Sequence, residues 1–481
     1  GLPDELVEIA RTGSERYLRK GSTHQALELA ELGLSEADHD LALRSTAMRA
    51  AWLVGLNEDA IVHGEALAAD AERAGDVARR SEARRLLLRL YWETVREADR
   101  HEVVALLVDD VETLPDGPER AFTLGALAQQ AMLSADIDSA LDWSDQAVEA
   151  AERHGLPALR RLALVERCSA QLNHRTDVAE AVRVLCEVAA QADAAGESQV
   201  AARAWSNAAY AGGGVLDHDE RRTMLQHMLE SAERAGWTTE GFPNYALGCY
   251  ELATEEGDQP GALEALHEYL GHTSSSTARA GWLHLRGIGL HLERDDVDAA
   301  VASLSRLGEV TAEKTELATT TRLAVALATD DSEEAERLSA LLLTKAEVDG
   351  LDADSFGPIV PGRPGRSLPV DTQRKLVDAV RRIWAFDTPV VLDLATNRFR
   401  AHLALLDGDH QESLDRFAGV FERAATELPV AAPDLASDHI AAARALIALD
   451  RSDEAGPHLD AAHDLLKRWP GWRRDELSAL E

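Results

Sequence analysis

One short pattern of polar, small and apolar positions recurs along the whole chain. A polar residue, usually Asp, is followed four positions later by a small residue and then an apolar one, as in Asp136 with Ala140 and Leu141; Asn57 and Asp450 start looser copies. The copies begin at Ser22, Asn57, Asp99, Asp136, Asp177, Asp219, Asp258, Asp296, Asp331, Asp371, Asp409 and Asp450. Their spacing runs from 35 to 42 residues, with a mean of about 39, which indicates an internal repeat.

Each copy is predicted to start a helix. An Asp or Ser side chain accepts a hydrogen bond from the free N–H groups of a helix's first turn, and its charge suits the helix dipole. The small residue allows a neighbouring helix to approach closely. Glycines end these helices in the prediction, because glycine adopts the left-handed conformation easily. The glycines in question are Gly75, Gly155, Gly196, Gly236 and Gly350, with earlier stops at Gly271 and Gly308.

The stretch before each cap also has the apolar spacing of a helix, for example "ALRRLALVERCSAQL" at 158–172. Each repeat is therefore a helix, a turn and a second helix. Two helices cannot bury their apolar stripes alone, but stacked pairs can. The prediction is an all-α fold: a right-handed α-solenoid of about twelve tetratricopeptide-like repeats, with roughly 24 helices and no sheet.

The repeat pattern is interrupted at residues 349–371, "DGLDADSFGPIVPGRPGRSLPVD". The four prolines of this segment exclude a regular helix. The predicted organisation is a first solenoid part at 1–350, a Pro/Gly-rich loop at 351–370 and a second solenoid part with an end cap at 371–481. The loop is either a passive excursion or a contact surface. At the C-terminus, Trp469 and Trp472 are predicted to cover the last exposed apolar face.

Composition limits the classes of function. The formal net charge is −36, which disfavours phosphate binding, so we expect no direct nucleic-acid contact. The three cysteines form no CxxC pair, which favours a reducing cytoplasm. No apolar run is long enough to span a membrane.

Motifs for catalysis or metal binding are incomplete. Gly357 and Gly362 imitate a phosphate-binding loop, but Arg363 and Pro364 follow where Lys and Ser or Thr are needed. The acidic and histidine-containing clusters at 217–219, 330–334 and 407–412 all coincide with predicted turns. There is no HExxH and no Gly-x-Ser-x-Gly. We therefore expect no catalytic site, no metal and no cofactor in this chain, which is interpreted as a non-enzyme; a helical enzyme with an unrecognised site is the least favoured alternative.

Binding is the use that a solenoid favours, because first helices usually line its concave face. The candidate contacts to a protein partner or small-molecule effector are Trp92, Trp205, Asn207, Tyr210, Tyr245, Tyr250, Trp282, His284, Asn397 and Arg400. The overall charge favours a basic or polar partner.

Three stretches carry a family resemblance: residues 1–37, residues 49–76 and "LLKRWPGWRRDEL" at 465–477. Together they resemble the tetratricopeptide-like region of large actinobacterial LuxR-family regulators with a MalT-like build. The resemblance implies an ATPase module before the repeats, a helix-turn-helix after them, and repeats that sense an effector or partner and control self-association. No ATP- or DNA-binding residue can be assigned here, since neither motif is present in the chain. The resemblance suggests an excised middle segment; the alternative is a free-standing scaffold that docks a protein or peptide.

Overall fold

The computed structural model describes residues 2–94, 96–134, 136–173, 177–270, 278–307, 316–348, 367–379, 389–426 and 430–481. Within these ranges the chain forms 24 α-helices and no β-strand, apart from an isolated bridge between Gly213 and Leu216. The predicted all-α helical-repeat solenoid is confirmed. None of the described helices is long and apolar enough to cross a membrane.

The chain divides into two compact units. The first comprises Gly1–Gly212, Asp219–Tyr245 and Ser276–Ala278, and the second comprises Gly213–His218, Ala246–Ser275 and Arg279–Glu481. The predicted loop at 351–370 lies outside the described residues except for its last four, which lead into a short helix. The phosphate-loop-like glycines lie in the part of that loop that is not described.

Twelve of the described helices belong to the first unit, apart from His218 at the start of the twelfth. They are α1 (Leu2–Arg19), α2 (Thr23–Glu36), α3 (Leu41–Leu53), α4 (Asn57–Ala74), α5 (Val77–Glu93), α6 (Glu97–Thr113), α7 (Pro118–Leu133), α8 (Ile137–Arg153), α9 (Pro157–Asn173), α10 (Val178–Ala194), α11 (Ser198–Ala211) and α12 (His218–Arg234). The division between the units falls inside the next helix, α13 (Thr238–Glu255).

The remaining described helices belong to the second unit. They are α14 (Gln259–Leu270), α15 (Ala278–Glu293), α16 (Val297–Arg306), α17 (Glu316–Ala328), α18 (Ser332–Val348), α19 (Val370–Asp378), α20 (Pro389–Leu406), α21 (His410–Thr426), α22 (Ala432–Ala448), α23 (Ser452–Leu465) and α24 (Trp472–Ser478).

Five of the predicted caps are confirmed by their hydrogen bonds. In each, an Asp carboxylate accepts from the backbone N–H three residues later, at 3.1 to 3.2 Å. These caps are Asp136, Asp258, Asp296, Asp331 and Asp409. The acidic clusters at 330–334 and 407–412 therefore have a structural role at helix starts, which agrees with the prediction that they lie on turns. Ser22 and Asp177 also occupy the predicted cap positions, of α2 and α10, but without a side-chain hydrogen bond.

Five other predicted starts are wrong by one to three residues. The cap of α6 is Arg96 rather than Asp99, and Asp219 and Asp371 lie in the first turns of α12 and α19. Asn57 and Asp450 each miss the true cap by one position. An acidic residue anywhere in the first turn is favoured by the helix dipole, so sequence alone does not separate it from a cap.

Burial of the small repeat residue confirms its predicted role. Ala26, Ala60, Ala140, Ala181, Ala262 and Ala300 are each at most 1% exposed. An alanine at a helix crossing lets the backbones approach without leaving a void, so the repeat packs at native density.

In the first unit, the first and last repeats touch. The turn between α1 and α2 packs against the turn between α12 and α13: a Cβ added to Gly236 would lie 2.5 Å from the carbonyl oxygen of Gly21. Both glycines have positive φ, at 69° and 73°. The indole rings of Trp52, in α3, and the buried Trp237 are 5.8 Å apart. Turns five repeats apart in sequence are therefore in direct contact.

Candidate functional site: the inner helical layer

The odd-numbered helices of the first unit form a continuous layer. Each of α1, α3, α5, α7 and α9 packs on the next odd-numbered helix, whereas consecutive even-numbered helices make at most marginal contact over the described residues. In a curved stack, neighbouring helices lie closer together on the inside of the curve. The odd-numbered helices therefore form the inner layer, and the even-numbered helices form the outer layer.

Charge is divided between the two layers. Inner helix α5 carries five arginines and two glutamates, and α3 carries two arginines and no acidic residue. Outer helices α4 and α8 each carry five acidic residues and one arginine, and α6 carries six acidic residues and one arginine. Much of the arginine on the inner helices is neutralised within the fold, because Arg44 pairs with Asp70 of α4 and both Arg80 and Arg84 pair with Asp110 of α6.

Polar contacts join successive inner helices at the repeat spacing. Ser45 Oγ in α3 donates to Glu82 in α5 at 2.7 Å, and Trp52 Nε1 donates to Glu93 at 3.1 Å. The guanidinium of Arg85 in α5 donates to Thr123 in α7 at 3.1 Å. The partners are 37, 41 and 38 residues apart in sequence. These separations are close to the length of one repeat, so each contact joins similar positions of neighbouring repeats.

The seam between α9 and α11 is a further junction of this kind, and it includes the buried Glu166. Arg203 Nη2 donates to Glu166 Oε1 at 2.5 Å, and Asn207 Nδ2 donates to Ser169 Oγ at 2.6 Å. Burial raises the pKa of Glu166, and Arg203 only partly opposes that effect. The second carboxylate oxygen of Glu166 has no hydrogen-bond partner. This seam holds Asn207 in one orientation on the inner layer.

Tyr210 continues the same seam. Its hydroxyl donates to the carbonyl oxygen of Asn244 in α13 at 2.7 Å, 34 residues along the chain. Both Asn207 and Tyr210 are half-buried and lie on one face of α11. Two residues chosen from the sequence as binding candidates are therefore adjacent on the inner layer and are held in place by the neighbouring repeats.

Trp205 points to the other side of α11. Its Nε1 donates to Asp193 in α10 at 3.2 Å, and its ring lies 5.1 Å from that of His227 in α12. These partners belong to outer helices, so the structure does not bring Trp205 together with Asn207 and Tyr210.

Trp92 lies near the end of α5, half-buried, with the Arg89 guanidinium 4.7 Å from its ring centroid. Arg89 also donates to Glu93 at 2.5 Å, and Glu93 in turn accepts from Trp52. Trp52, Arg89 and Glu93 were not among the residues chosen from the sequence. They form a group of aromatic and charged side chains around Trp92.

The remaining candidates have contacts of their own. Tyr245 stacks on Phe242 at 6.4 Å. In the second unit, burial raises the pKa of Tyr250, which is only 9% exposed, and His284 is half-buried. Asn397 accepts from Arg416 at 3.4 Å, and the exposed Arg400 donates to Asp378 at 3.3 Å. The side chain of Trp282 lies outside the described residues.

The second unit has its own buried polar junction, between α20 and α22. Arg398 Nε donates to Asp438 Oδ2 at 2.6 Å, and His402 Nε2 lies 2.8 Å from Asp438 Oδ1. Burial acts to raise the pKa of Asp438, but Arg398 and His402 together hold it below its usual range. The sequence interpretation missed this junction and the Glu166–Arg203 pair. Both can be found by searching for opposite charges separated by one repeat, at 40 and 37 residues.

The histidine-containing turn at 217–219 lies next to acidic residues from another part of the chain. His218 is 3.3 Å from Glu255, the last residue of α13, and 3.7 Å from Glu256, which follows that helix. Across the part of the chain that the structure describes, no group of three or more His, Cys, Asp and Glu side chains is placed to hold a metal ion.

No protein-family model and no curated protein sequence matches this chain. Solved structures are similar to it at low identity. A Rap protein complexed with Competence and Sporulation Factor is 12% identical, with 83% of this chain and 99% of that chain covered and a TM-score of 0.44.

The apo form of the quorum sensor NprR from B. thuringiensis is 13% identical, with coverage of 80% and 98% and a TM-score of 0.42. The APC/C hetero-tetramer Cut9–Hcn1 is 12% identical, with coverage of 99% and 93% and a TM-score of 0.42. Likeness at these scores carries no argument about what this chain binds; the helical-repeat fold rests on the helices described above.

Proposed function

We propose that this chain is a non-catalytic binding scaffold whose inner helical layer docks a peptide or protein partner. The observation that carries the proposal is the group of half-buried amide and aromatic side chains on α11 and α5, each fixed by a contact to another inner residue. Side chains that are already ordered lose little conformational freedom on binding, which favours recognition.

The partner that fits this layer offers polar backbone groups. Asn207 presents an amide and Tyr210 presents an aromatic ring. A partner approaching from outside instead meets the acidic helices α4, α6 and α8. Because Arg44, Arg80 and Arg84 of the inner helices are already paired with carboxylates of α4 and α6, the inner layer would recognise its partner through hydrogen bonds and ring contacts rather than through net charge.

A variant pair tests the proposal. Asn207→Ala removes the inner amide, and Gln226→Ala removes an amide from an exposed position on the outer helix α12. A partner that co-purifies with the wild-type chain from its own cells should be lost with Asn207→Ala and retained with Gln226→Ala, with unchanged helical content in both. Equal retention in the two variants would reject the inner layer as the docking face.

A small-molecule effector is the competing ligand class for the same layer. Thermal-shift screening of metabolites, run beside the co-purification, separates the two. Stabilisation by a metabolite together with no co-purified protein would replace the partner in this proposal with an effector.

The finer proposal is that the scaffold is the sensing arm of a LuxR-type regulator with a MalT-like build. The resemblance of residues 1–37, 49–76 and 465–477 supports it, and the ATPase and DNA-binding modules would then lie outside this chain. In that setting, a partner shifts the population of arm conformations only through different affinities for them. The coding sequence decides the matter: a helix-turn-helix encoded in frame after Glu481 supports the regulator, and a stop codon there leaves a free-standing scaffold.

A further inference from the structure

The C-terminal segment, residues 466–481, packs on the beginning of the second unit. The backbone N–H of Gln259, at the start of α14, donates to the carbonyl oxygen of Arg468 at 3.3 Å. Its side-chain Nε2 donates to the carbonyl oxygen of Pro470 at 2.9 Å, across 211 residues of sequence. Gln259 is only 1% exposed, so this contact is buried.

Two arginines of the segment meet carboxylates from both early and late helices of the unit. Arg468 pairs with Asp258 at 2.9 Å. The buried Arg473 pairs with Glu293 at the end of α15, and with Asp434 in α22 at 3.2 Å. Arg473 therefore bridges helices that are far apart in sequence, which explains why an acidic chain ends in a basic stretch.

The backbone fit is close at the same place. Gly471 has φ of 134°, and a Cβ added there would overlap the carbonyl oxygen of Glu293. On the other side of the contact, a Cβ on Gly257 would lie 2.7 Å from the carbonyl oxygen of Leu465. Trp469, between the two arginines, is 2% exposed. The segment can make all of these contacts only when the first and last repeats of the unit are held at one fixed distance from each other.

We infer that residues 466–481 are a clasp that joins the first and last repeats of the second unit, so that the two ends open and close together. The clasp makes the C-terminus sensitive to the curvature of the whole unit, because a change in curvature separates Arg473 from Glu293 or from Asp434. This inference stands on contacts within the unit and does not depend on the proposed partner.

Hydrogen exchange followed by mass spectrometry on the full chain tests the clasp. Arg468→Gln weakens the partly exposed pair with Asp258, and Gly471→Ala blocks the close backbone fit. The matched controls are Arg474→Gln, the neighbouring cation, and Gly408→Ala, whose glycine has positive φ and open space around a Cβ.

The clasp predicts that exchange rises in two peptides at once, 289–296 and 466–480, by about tenfold in Gly471→Ala and by about three- to fivefold in Arg468→Gln, whose arginine is largely exposed. The controls should leave both peptides within about twofold of wild type. An increase confined to 466–480, or an equal increase in the controls, would overturn the inference. If Gly471→Ala fails to fold, Arg468→Gln compared with Arg474→Gln still decides, because both substitutions remove one cation of the same segment.

Discussion

The contact between the first and last repeats of the first unit can be tested with one methyl group. Gly236→Ala adds a Cβ at a position where the backbone has φ of 69° and where Gly21 O would lie 2.5 Å away. Gly196→Ala adds the same group at φ of 75°, also after an outer helix, with no atom within 4 Å. The two substitutions differ only in what the new methyl meets.

The expected costs follow from that difference. The left-handed conformation costs alanine about 1 to 2 kcal/mol in either variant. At Gly236 the methyl must also displace the backbone of Gly21, and such overpacking adds about 1 to 3 kcal/mol. A cost of 1.4 kcal/mol changes an equilibrium constant tenfold, so an extra cost of at least about 1 kcal/mol changes it about fivefold or more. The equilibrium constant for local opening should therefore be at least about fivefold larger in Gly236→Ala than in Gly196→Ala.

Hydrogen exchange is the suitable assay, because a chain of two compact units need not unfold in a single step. Peptides covering 17–24 and 232–238 should both exchange faster in Gly236→Ala than in Gly196→Ala. If the two variants behave alike, or if only 232–238 responds, the turn at Gly21 is not packed on the turn at Gly236 and the described closure is wrong.

Three further predictions concern buried groups. Arg203→Met should destabilise the α9–α11 seam by about 3 kcal/mol, seen as faster hydrogen exchange in peptides covering 163–170 and 200–207, because Glu166 loses its buried partner, and adding Glu166→Gln should restore a large part. Burial and the neighbouring His458 lower the pKa of His439 to about 4. Stability should therefore fall as the pH drops below about 6.5, because the imidazole binds a proton in the unfolded chain before it does so in the folded chain. In His439→Gln, the thermal unfolding midpoint measured over the same pH range should fall less steeply. Burial raises the pKa of the Cys168 thiol to about 11, so maleimide should label Cys168 at neutral pH only after unfolding, and rapid labelling of the folded chain would contradict its position.

Much of the fold could be predicted from sequence because the repeat marks are local. An Asp cap such as Asp296 and a small residue such as Ala300 act within one turn of helix, so their spacing appears directly in the sequence. The starts at Asp99 and Asp219 were misplaced because first-turn acids and caps obey the same electrostatics.

The contacts that define the inner layer could not be predicted in the same way. Trp205 and Asn207 are two residues apart, yet one faces outer helices and the other faces Ser169. That distinction depends on the rotation of α11 about its axis, which only packing against α9 and α13 fixes. Contacts across 211 residues, such as Gln259 with Pro470, depend on the curvature accumulated over many repeats and leave no local signal.

Site-specific photo-crosslinking tests the binding role of the inner layer most directly. A photoreactive residue in place of Arg49 lies on the inner helix α3, on the same face as Ser45 and Trp52, whereas one in place of Gln226 lies on the outer helix α12; both positions are exposed. After irradiation in the cells that make the protein, the inner position should give a discrete adduct that Asn207→Ala abolishes, and the outer position should give none. Adducts only from position 226, or an inner adduct that Asn207→Ala leaves unchanged, would contradict the account.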